Sequence, residues 1–471
     1  MSTVLHYDIV VIGSGPAGQK AAIQGAKAGK HVAMIEREPG VGGGCVYRGT
    51  IPSKTLRESA LQADRLKRSS TGQDMQVPSN IMVSSLMRHL DEVVTSHGDY
   101  MMNQLTRNGV TLFHGRAHFR SDRQIEMLTV DGMKQTITAD TIVIATGSRP
   151  RAPIDIPIDH EHILDSDSIL SMIYLPRSLT VLGGGIIALE YASVFAALGV
   201  QVTIIDRADR PLQFFDEELV RMFVQSFEQA GGRYCGGQAV KDVRWDGISQ
   251  VVTTLQNGQT FTSDKMLVAV GRQANVEDLN LTATGLTVSV KGTLAVNEHC
   301  QTAVPHIYGV GDLIGPPGLA SSAMEQGRRA VCHALGLPEG QSADIIPVGV
   351  YTIPEMASIG LDETAARKRY REIIIGRAKF HEIARGQISD IRNGLLKMVA
   401  DPTGERLLGV QIIGEGATEL IHVAQMALQH AATIDSFVEN IFNFPTLAET
   451  YRVAALDIVG QRQKRVVSTA A

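Results

Sequence analysis

The sequence predicts an α/β chain in which one nucleotide-binding βαβ unit occurs twice, followed by a C-terminal α+β domain. Three observations predict it. The run Tyr7-Asp-Ile-Val-Val-Ile-Gly13-Ser-Gly15-Pro-Ala-Gly18 has a counterpart in Leu179-Thr-Val-Leu-Gly183-Gly-Gly185-Ile-Ile-Ala188. Each is followed by a second short strand ending on an acid, Glu36 or Asp206, at one distance from the first glycine (36 − 13 = 206 − 183 = 23). From about residue 346 the pattern changes to alternating strands with a following helix, as in an α+β unit.

In the first copy, the β-branched residues up to Ile12 make a buried strand, and an alanine-rich helix runs from the glycine turn to about Gly29. Strand Val32 to Ile35 then delivers Glu36. In the second copy the helix runs to about Leu198 and strand Val202 to Ile205 delivers Asp206. This is the dinucleotide fingerprint in its required context. The first glycine turns the chain and the second lets backbone approach a pyrophosphate. The third position, Gly18 or Ala188, lets helix and strand pack closely. Helix N-terminal amides bind phosphate and the acid bonds a ribose hydroxyl. Two matched copies imply two Rossmann-like domains and two dinucleotides per chain.

The remaining elements follow in order. Residues 85 to 108 carry helical apolar spacing (Leu86, Leu90, Val93, Val94, Met101, Leu105), while the polar stretch 64 to 80 reads as a loop. Three further buried strands end at glycine: Ile142 to Thr146-Gly147, Met266 to Gly271, and Ile307 to Gly311-Asp312. The C-terminal unit has strands Ile373 to Phe380, Gly394 to Ala400 and Leu407 to Ile413, then helix Thr418 to Gln429. The expected divisions are 1–152, 153–274, 275–345 and 346–471.

Composition narrows the function. A formal net charge of −5 over 471 residues offers no basic surface for nucleic acid or anionic lipid. The cysteines Cys45, Cys235, Cys300 and Cys332 are scattered without metal-type spacing, so no metal is expected and a reducing, cytoplasmic setting is. No apolar run approaches the ~20 residues of a membrane span.

Together these residues resemble the flavoprotein disulfide reductase family across nearly the whole chain. The resemblance implies an FAD domain, an NAD(P) domain, a central return to the FAD domain, and a dimerisation domain. By it, Gly13, Gly15, Gly18 and Glu36 hold the adenosine side of FAD, Thr146 and Gly147 close over it, and Gly311 and Asp312 reach its ribityl and phosphate. Gly183, Gly185 and Ala188 hold the nicotinamide dinucleotide. Arg37, Gly43, Gly44, Cys45, Ala117, Gly271 and Arg272 complete the cofactor-contacting set. Lys54 and Glu190 match the pair that the family places beside the flavin, an ammonium that stabilises the anionic reduced ring and a carboxylate that orients it.

The chain departs from that family at two linked positions. Its disulfide-reducing members carry a second cysteine where Thr50 stands, and a histidine where Phe444 stands in Asn443-Phe-Pro-Thr-Leu-Ala-Glu449. A threonine hydroxyl forms no disulfide and a phenyl ring moves no proton. One half-reaction is therefore missing; Cys45 is expected to be an inert core residue, and Glu449 to be structural. The runs Gly42 to Lys54, Tyr351-Thr-Ile-Pro-Glu355 and Phe444 to Leu456 look like the transhydrogenase branch of the family, deviant positions included. That implies hydride exchange between NADPH and NAD+ through FAD. The alternative is an NAD(P)H:acceptor reductase that passes electrons to quinone or oxygen.

The end of the second nucleotide unit suits acceptance of both NAD(H) and NADP(H). Asp206 stands where an acid favours a free 2′-hydroxyl, Arg207 where an arginine favours a 2′-phosphate, and Arg210 is a nearby second cation. A solvated loop with charges of both signs is the competing account. A homodimer or larger homo-oligomer is implied by the resemblance alone.

Overall fold

The computed structural model describes residues 4–68, 83–340 and 345–469. Strand β1 (Leu5–Ile12) lies at the centre of the first sheet, since Ile9–Ile12 are apolar on both faces and all buried. Helix α1 (Pro16–Lys27) follows, then β2 (Val32–Glu36), which pairs parallel to β1 with Ile9 opposite Val32. Strand Lys134–Ile144 flanks β1 on its other side, with Thr111–Ser121 beyond β2 and Ile307–Gly309 at the far edge. The outer halves of Thr111–Ser121 and Lys134–Ile144 pair with Gln124–Thr129 as an antiparallel meander. Helix α2 (Thr50–Arg68) includes residues 64–68, read above as the start of a loop. Polarity without Gly or Pro does not end a helix, because charged side chains can leave its surface without disturbing the backbone, as Arg65 does in pairing with Glu415 at 2.8 Å. Residues 69–80 of that stretch lie outside the described residues.

The second unit repeats the first. Strand β3 (Ser178–Leu182), helix α3 (Ile186–Ala197) and strand β4 (Gln201–Ile205) form the same strand–turn–helix–strand path, with Leu179 opposite Val202. The sheet is parallel throughout, ordered Arg233–Cys235, β4, β3, Lys265–Val268, Ile163–Asp165. Helix α4 (Glu217–Gln229) is capped by Asp216, whose carboxylate accepts from Glu218 N and Leu219 N. Strands Ser148–Pro150 and Arg272–Ala274 pair where the chain enters and leaves this unit. Helix α5 (Ala320–Ala334) then returns to pack on α1, so closely that a Cβ at Gly327 would strike the Ala17 carbonyl.

The C-terminal unit is a five-stranded antiparallel sheet ordered Val348–Val350, Met356–Gly360, Leu407–Ile413, β5 (Leu395–Ala400), Ile374–Lys379. Helices Ala417–Gln429 and Glu449–Thr469 cover one face over Phe380, Phe437, Tyr451 and Ala454. Lys397 on β5 is buried at the joint with the second unit. Its Nζ lies 2.9 Å from Asp216 Oδ2, 3.0 Å from Glu218 Oε2 and 2.7 Å from Glu363 Oε2. Arg377 pairs with Glu218 at 2.9 Å. No described helix is long and apolar enough to cross a membrane.

Candidate active site

The residues at the strand ends of the first sheet, the start of α2 and one face of α3 enclose a cleft of about 1380 Å³. Of the residues singled out in the sequence, it is lined by Gly13, Gly15, Glu36, Arg37, Gly43, Gly44, Cys45, Lys54, Ala117, Thr146, Gly147, Gly185, Glu190, Gly271, Arg272, Gly311 and Asp312. Gly18, Gly183 and Ala188 lie behind the two turns, and Asp206 and Arg207 lie apart from its lining.

The first turn is built for a close-lying ligand backbone. Gly13 has φ +103°, and a Cβ at Gly18 would collide with its carbonyl oxygen, so only glycine lets α1 start here. A Cβ at Gly15, by contrast, would meet nothing within 4 Å. Neither α1 nor α3 has a side chain capping its first amides, which leaves those donors for phosphate. Glu36 Oε2 accepts from Ser14 N (2.9 Å) and Ser14 Oγ (2.6 Å), and Oε1 accepts from Glu38 N (2.8 Å). A carboxylate has about four acceptor sites, so one remains for a ribose hydroxyl.

The far wall is equally organised. Ser148 Oγ donates to Asp312 Oδ2 at 2.6 Å and accepts from Arg272 Nε at 2.7 Å. Thr146 and Asn275 exchange hydrogen bonds of 2.7 and 2.9 Å. One carboxylate oxygen of Asp167, a cleft residue, is buried with no hydrogen-bond partner among the described residues. Burial and the neighbouring Asp165 raise its pKa against the pull of Arg272 and Arg48. An unsatisfied acceptor on a residue of the cleft wall fits a ligand that brings its own donors.

At the cleft's centre, Lys54 Nζ lies 2.6 Å from Glu190 Oε2. Apolar packing brings them together: Leu56 and Ala60 of α2 share a core with Leu189, Ala192 and Phe195 of α3. Glu190 Oε1 accepts from Tyr351 N at 2.8 Å, and Lys54 Nζ stands 4.8 Å from the centre of the Tyr351 ring. The same segment is buckled down by Ser193 Oγ, which accepts from Ile353 N (3.1 Å), and by the buried Arg57–Glu355 pair (2.8 Å). Sequence reasoning recorded the Tyr351–Glu355 run only as a resemblance; it assigned no role to Tyr351, Asp167, Ser148 or Asn275. Their contacts join distant segments and leave no local spacing to find.

Cys45 is not the core residue expected. It is partly exposed in the cleft, with the Thr50 hydroxyl hydrogen-bonded to its sulfur. Burial raises its pKa, outweighing Thr50 and the charge of Lys54, so it stays a thiol. All four cysteines are free. Phe444 projects outward, 74% exposed, and Glu449 Oε2 accepts from Thr446 N at the start of the last helix.

Asp206 rests on the second glycine turn, where a Cβ at Gly184 would strike its carboxylate, and Tyr234 Oη reaches it at 3.5 Å. Arg207 is exposed and makes no contact of its own among the described residues. Arg210 differs from expectation: it donates to the carbonyls of Phe215 and Gln213, each at 3.0 Å, and so stiffens its loop.

Fold and site together define a flavin- and nicotinamide-nucleotide oxidoreductase. Residues 7–327 match the pyridine nucleotide-disulphide oxidoreductase family and residues 346–455 its dimerisation domain, and the chain belongs to that family. It is 41% identical over 460 residues to a soluble pyridine nucleotide transhydrogenase of Mycobacterium tuberculosis, spanning 97% of this chain and 98% of the relative. It is 40% identical over 467 residues to one of Vibrio parahaemolyticus, spanning 97% and 99%. Among solved structures, LpdA from M. tuberculosis superposes with TM-score 0.89 at 26% identity, and the HOCl-induced flavoprotein disulfide reductase RclA from Escherichia coli with 0.86 at 25%. Each comparison covers 96% of this chain and 99% of the other.

Proposed function

We propose that this chain exchanges hydride between NADPH and NAD+ (NADPH + NAD+ to NADP+ + NADH) through bound FAD, with no thiol relay. The observation that carries this reading is the Cys45–Thr50 contact: among the described residues, the only sulfur lining the cleft has a hydroxyl beside it, which cannot close a disulfide. Bound FAD would supply the hydride acceptor and donor that links one nicotinamide to the next.

The chain's own residues bind and orient. The first amides of α1 and Glu36 hold the flavin nucleotide, with Arg37, Gly43, Gly44, Ala117, Thr146 and Gly147 along its length. Lys54 supplies a fixed positive charge, and Glu190, itself held by Tyr351 N, aims it. Gly183, Gly185 and Ala188 receive either nicotinamide dinucleotide, Asp206 takes a free 2′-hydroxyl, and the unpartnered Arg207 takes a 2′-phosphate. Residues 1–152 and 275–345 serve the flavin, 153–274 the nicotinamide nucleotide, and 346–471 a homodimer interface. Exposed Met426, Ile441 and Phe444 in that last region support a dimer. The setting is the cytoplasm.

The test is anaerobic titration of the FAD-loaded protein with NADPH, watched in the visible flavin band, then addition of NAD+. Full bleaching without a thiolate charge-transfer band, followed by recovery on NAD+ alone, is expected. Recovery only with quinone or oxygen, or turnover of reduced lipoamide at a rival rate, overturns the reading.

A further inference from the structure

On the side of the first unit away from the cleft lining, two histidines and a glutamate converge from three separate segments. His299 sits in the turn after Asn297, His333 in the last turn of α5, and Glu339 in the loop beyond it. One ligand atom from each lies within 4.8 Å of the others. The two imidazoles stack at 4.3 Å between ring centres. His299 Nδ1 is buried 2.8 Å from Glu339 Oε1 but misaligned, and makes no hydrogen bond among the described residues. The two groups thus meet as a charge pair rather than through an aligned hydrogen bond, and His299 helps to hold the Glu339 carboxylate in its charged form.

Outer contacts hold each group in place. His333 Nδ1 pairs with Tyr308 Oη at 2.9 Å, which leaves Nε2 as the nitrogen available to an ion. Arg329 holds the other carboxylate oxygen of Glu339 at 3.2 Å, which leaves Oε1 turned inward. Tyr308 belongs to strand Ile307–Gly309, so the ring that orients His333 is itself anchored in the first sheet. Metal-binding histidines characteristically direct their second nitrogen to such a partner, which fixes tautomer and ring plane.

We propose that His299, His333 and Glu339 form a binding site for a divalent transition ion of the Zn2+ class. Two imidazoles and a carboxylate suit that ion, and three protein ligands leave a position for water. A tetrahedral ion with bonds of about 2.0–2.2 Å needs its ligand atoms about 3.3–3.5 Å apart. They lie within 4.8 Å of one another here, so binding requires the stacked rings to turn out of parallel and close on the ion. Binding would select the tautomer in which His333 Nδ1–H donates to Tyr308 Oη. It would also staple the 297–301 turn to the end of α5. No sequence spacing announces the site, because its ligands come from three segments, which is why the sequence pointed to no metal. The inference is independent of the hydride-exchange reading, since none of these residues lines the cleft.

The test uses full-length, FAD-loaded protein stripped with a chelator and titrated with Zn2+ against a chromophoric competitor. One saturable Zn2+ per chain is expected, with a rise in the thermal unfolding midpoint as Zn2+ is added. Tyr308→Phe should weaken binding about 10-fold, and His299→Ala or His333→Ala by more than the about 10–100-fold an outer partner costs. Glu339→Gln keeps both imidazoles and guards against misfolding; it too should weaken binding. FAD content and the NADPH–NAD+ rate should stay at wild-type values in these variants. Absence of saturable binding by the wild-type protein overturns the proposal, as does equal Zn2+ affinity in wild type and the His299→Ala/His333→Ala double variant.

Discussion

Lys54 Nζ and Glu190 Oε2 meet at 2.6 Å across 136 positions of sequence, and apolar packing between α2 and α3 brings them there. Removing the charge should therefore leave the fold intact. Lys54→Met is expected to lower kcat about 10²–10³-fold with FAD still bound, and to move the flavin potential negative. Glu190→Gln keeps an acceptor for Tyr351 N and should cost less, about tenfold or about 1.4 kcal/mol. Steady-state rates beside flavin content and a redox titration check both.

Cys45→Ser is expected to keep NADPH–NAD+ exchange within about twofold, the range of a substitution that removes no essential contact. A near-complete loss with FAD bound would contradict it. The pH dependence is also fixed in sign. Burial pushes the Cys45 thiol above its ordinary range, so the reactive thiolate is scarce at neutral pH. Alkylation of Cys45 by iodoacetamide, followed by peptide mass spectrometry, should still be rising with pH beyond about pH 8.5, where an ordinary cysteine begins to level off.

Arg207 and Arg210 can be separated by kinetics. Arg207→Ala should raise KM for NADPH about tenfold or more, the cost of one charge-assisted hydrogen bond, and leave KM for NADH nearly unchanged. Arg210→Ala releases the Phe215 and Gln213 carbonyls and should raise both constants together. Equal effects of the two substitutions would mean that Arg207 does not select the phosphate.

Lys397→Met leaves the buried Asp216 carboxylate without its counter-ion and is expected to cost about 3–5 kcal/mol in urea unfolding. Arg377 and Lys397 hold Glu218 at about 2 despite its burial, and Glu363 is lowered too, by Lys397 and Arg367. Depressed carboxylates stabilise the fold fully above their unfolded value of about 4.3 and lose that contribution as pH falls toward the folded one. The wild-type urea midpoint should drop between about pH 5 and pH 2. In Lys397→Met that dependence should be shallower.

Both nucleotide cradles were legible in the sequence because they rest on backbone constraints with a chemical signature. Gly13 must hold a positive φ and Gly18 must lack a Cβ, and no other residue type satisfies both demands. The Lys54–Glu190 pair was legible only by resemblance, since nothing local links a helix start to a residue 136 positions later. Tyr351 was missed as a contributor because it holds Glu190 through a backbone amide, which every residue except proline carries. Cys45 was taken for a core residue on its residue type, whereas the short helix Gly43–Tyr47 turns it into the cleft. Residues 64–68 misled through polarity, which reports exposure rather than backbone conformation.

The ammonium of Lys397, sunk among three acids at the seam between β5 and α4, works as a rivet. Separating β5 from α4 would break all three of these contacts at once, so the second unit and the C-terminal sheet are pinned to each other at that point.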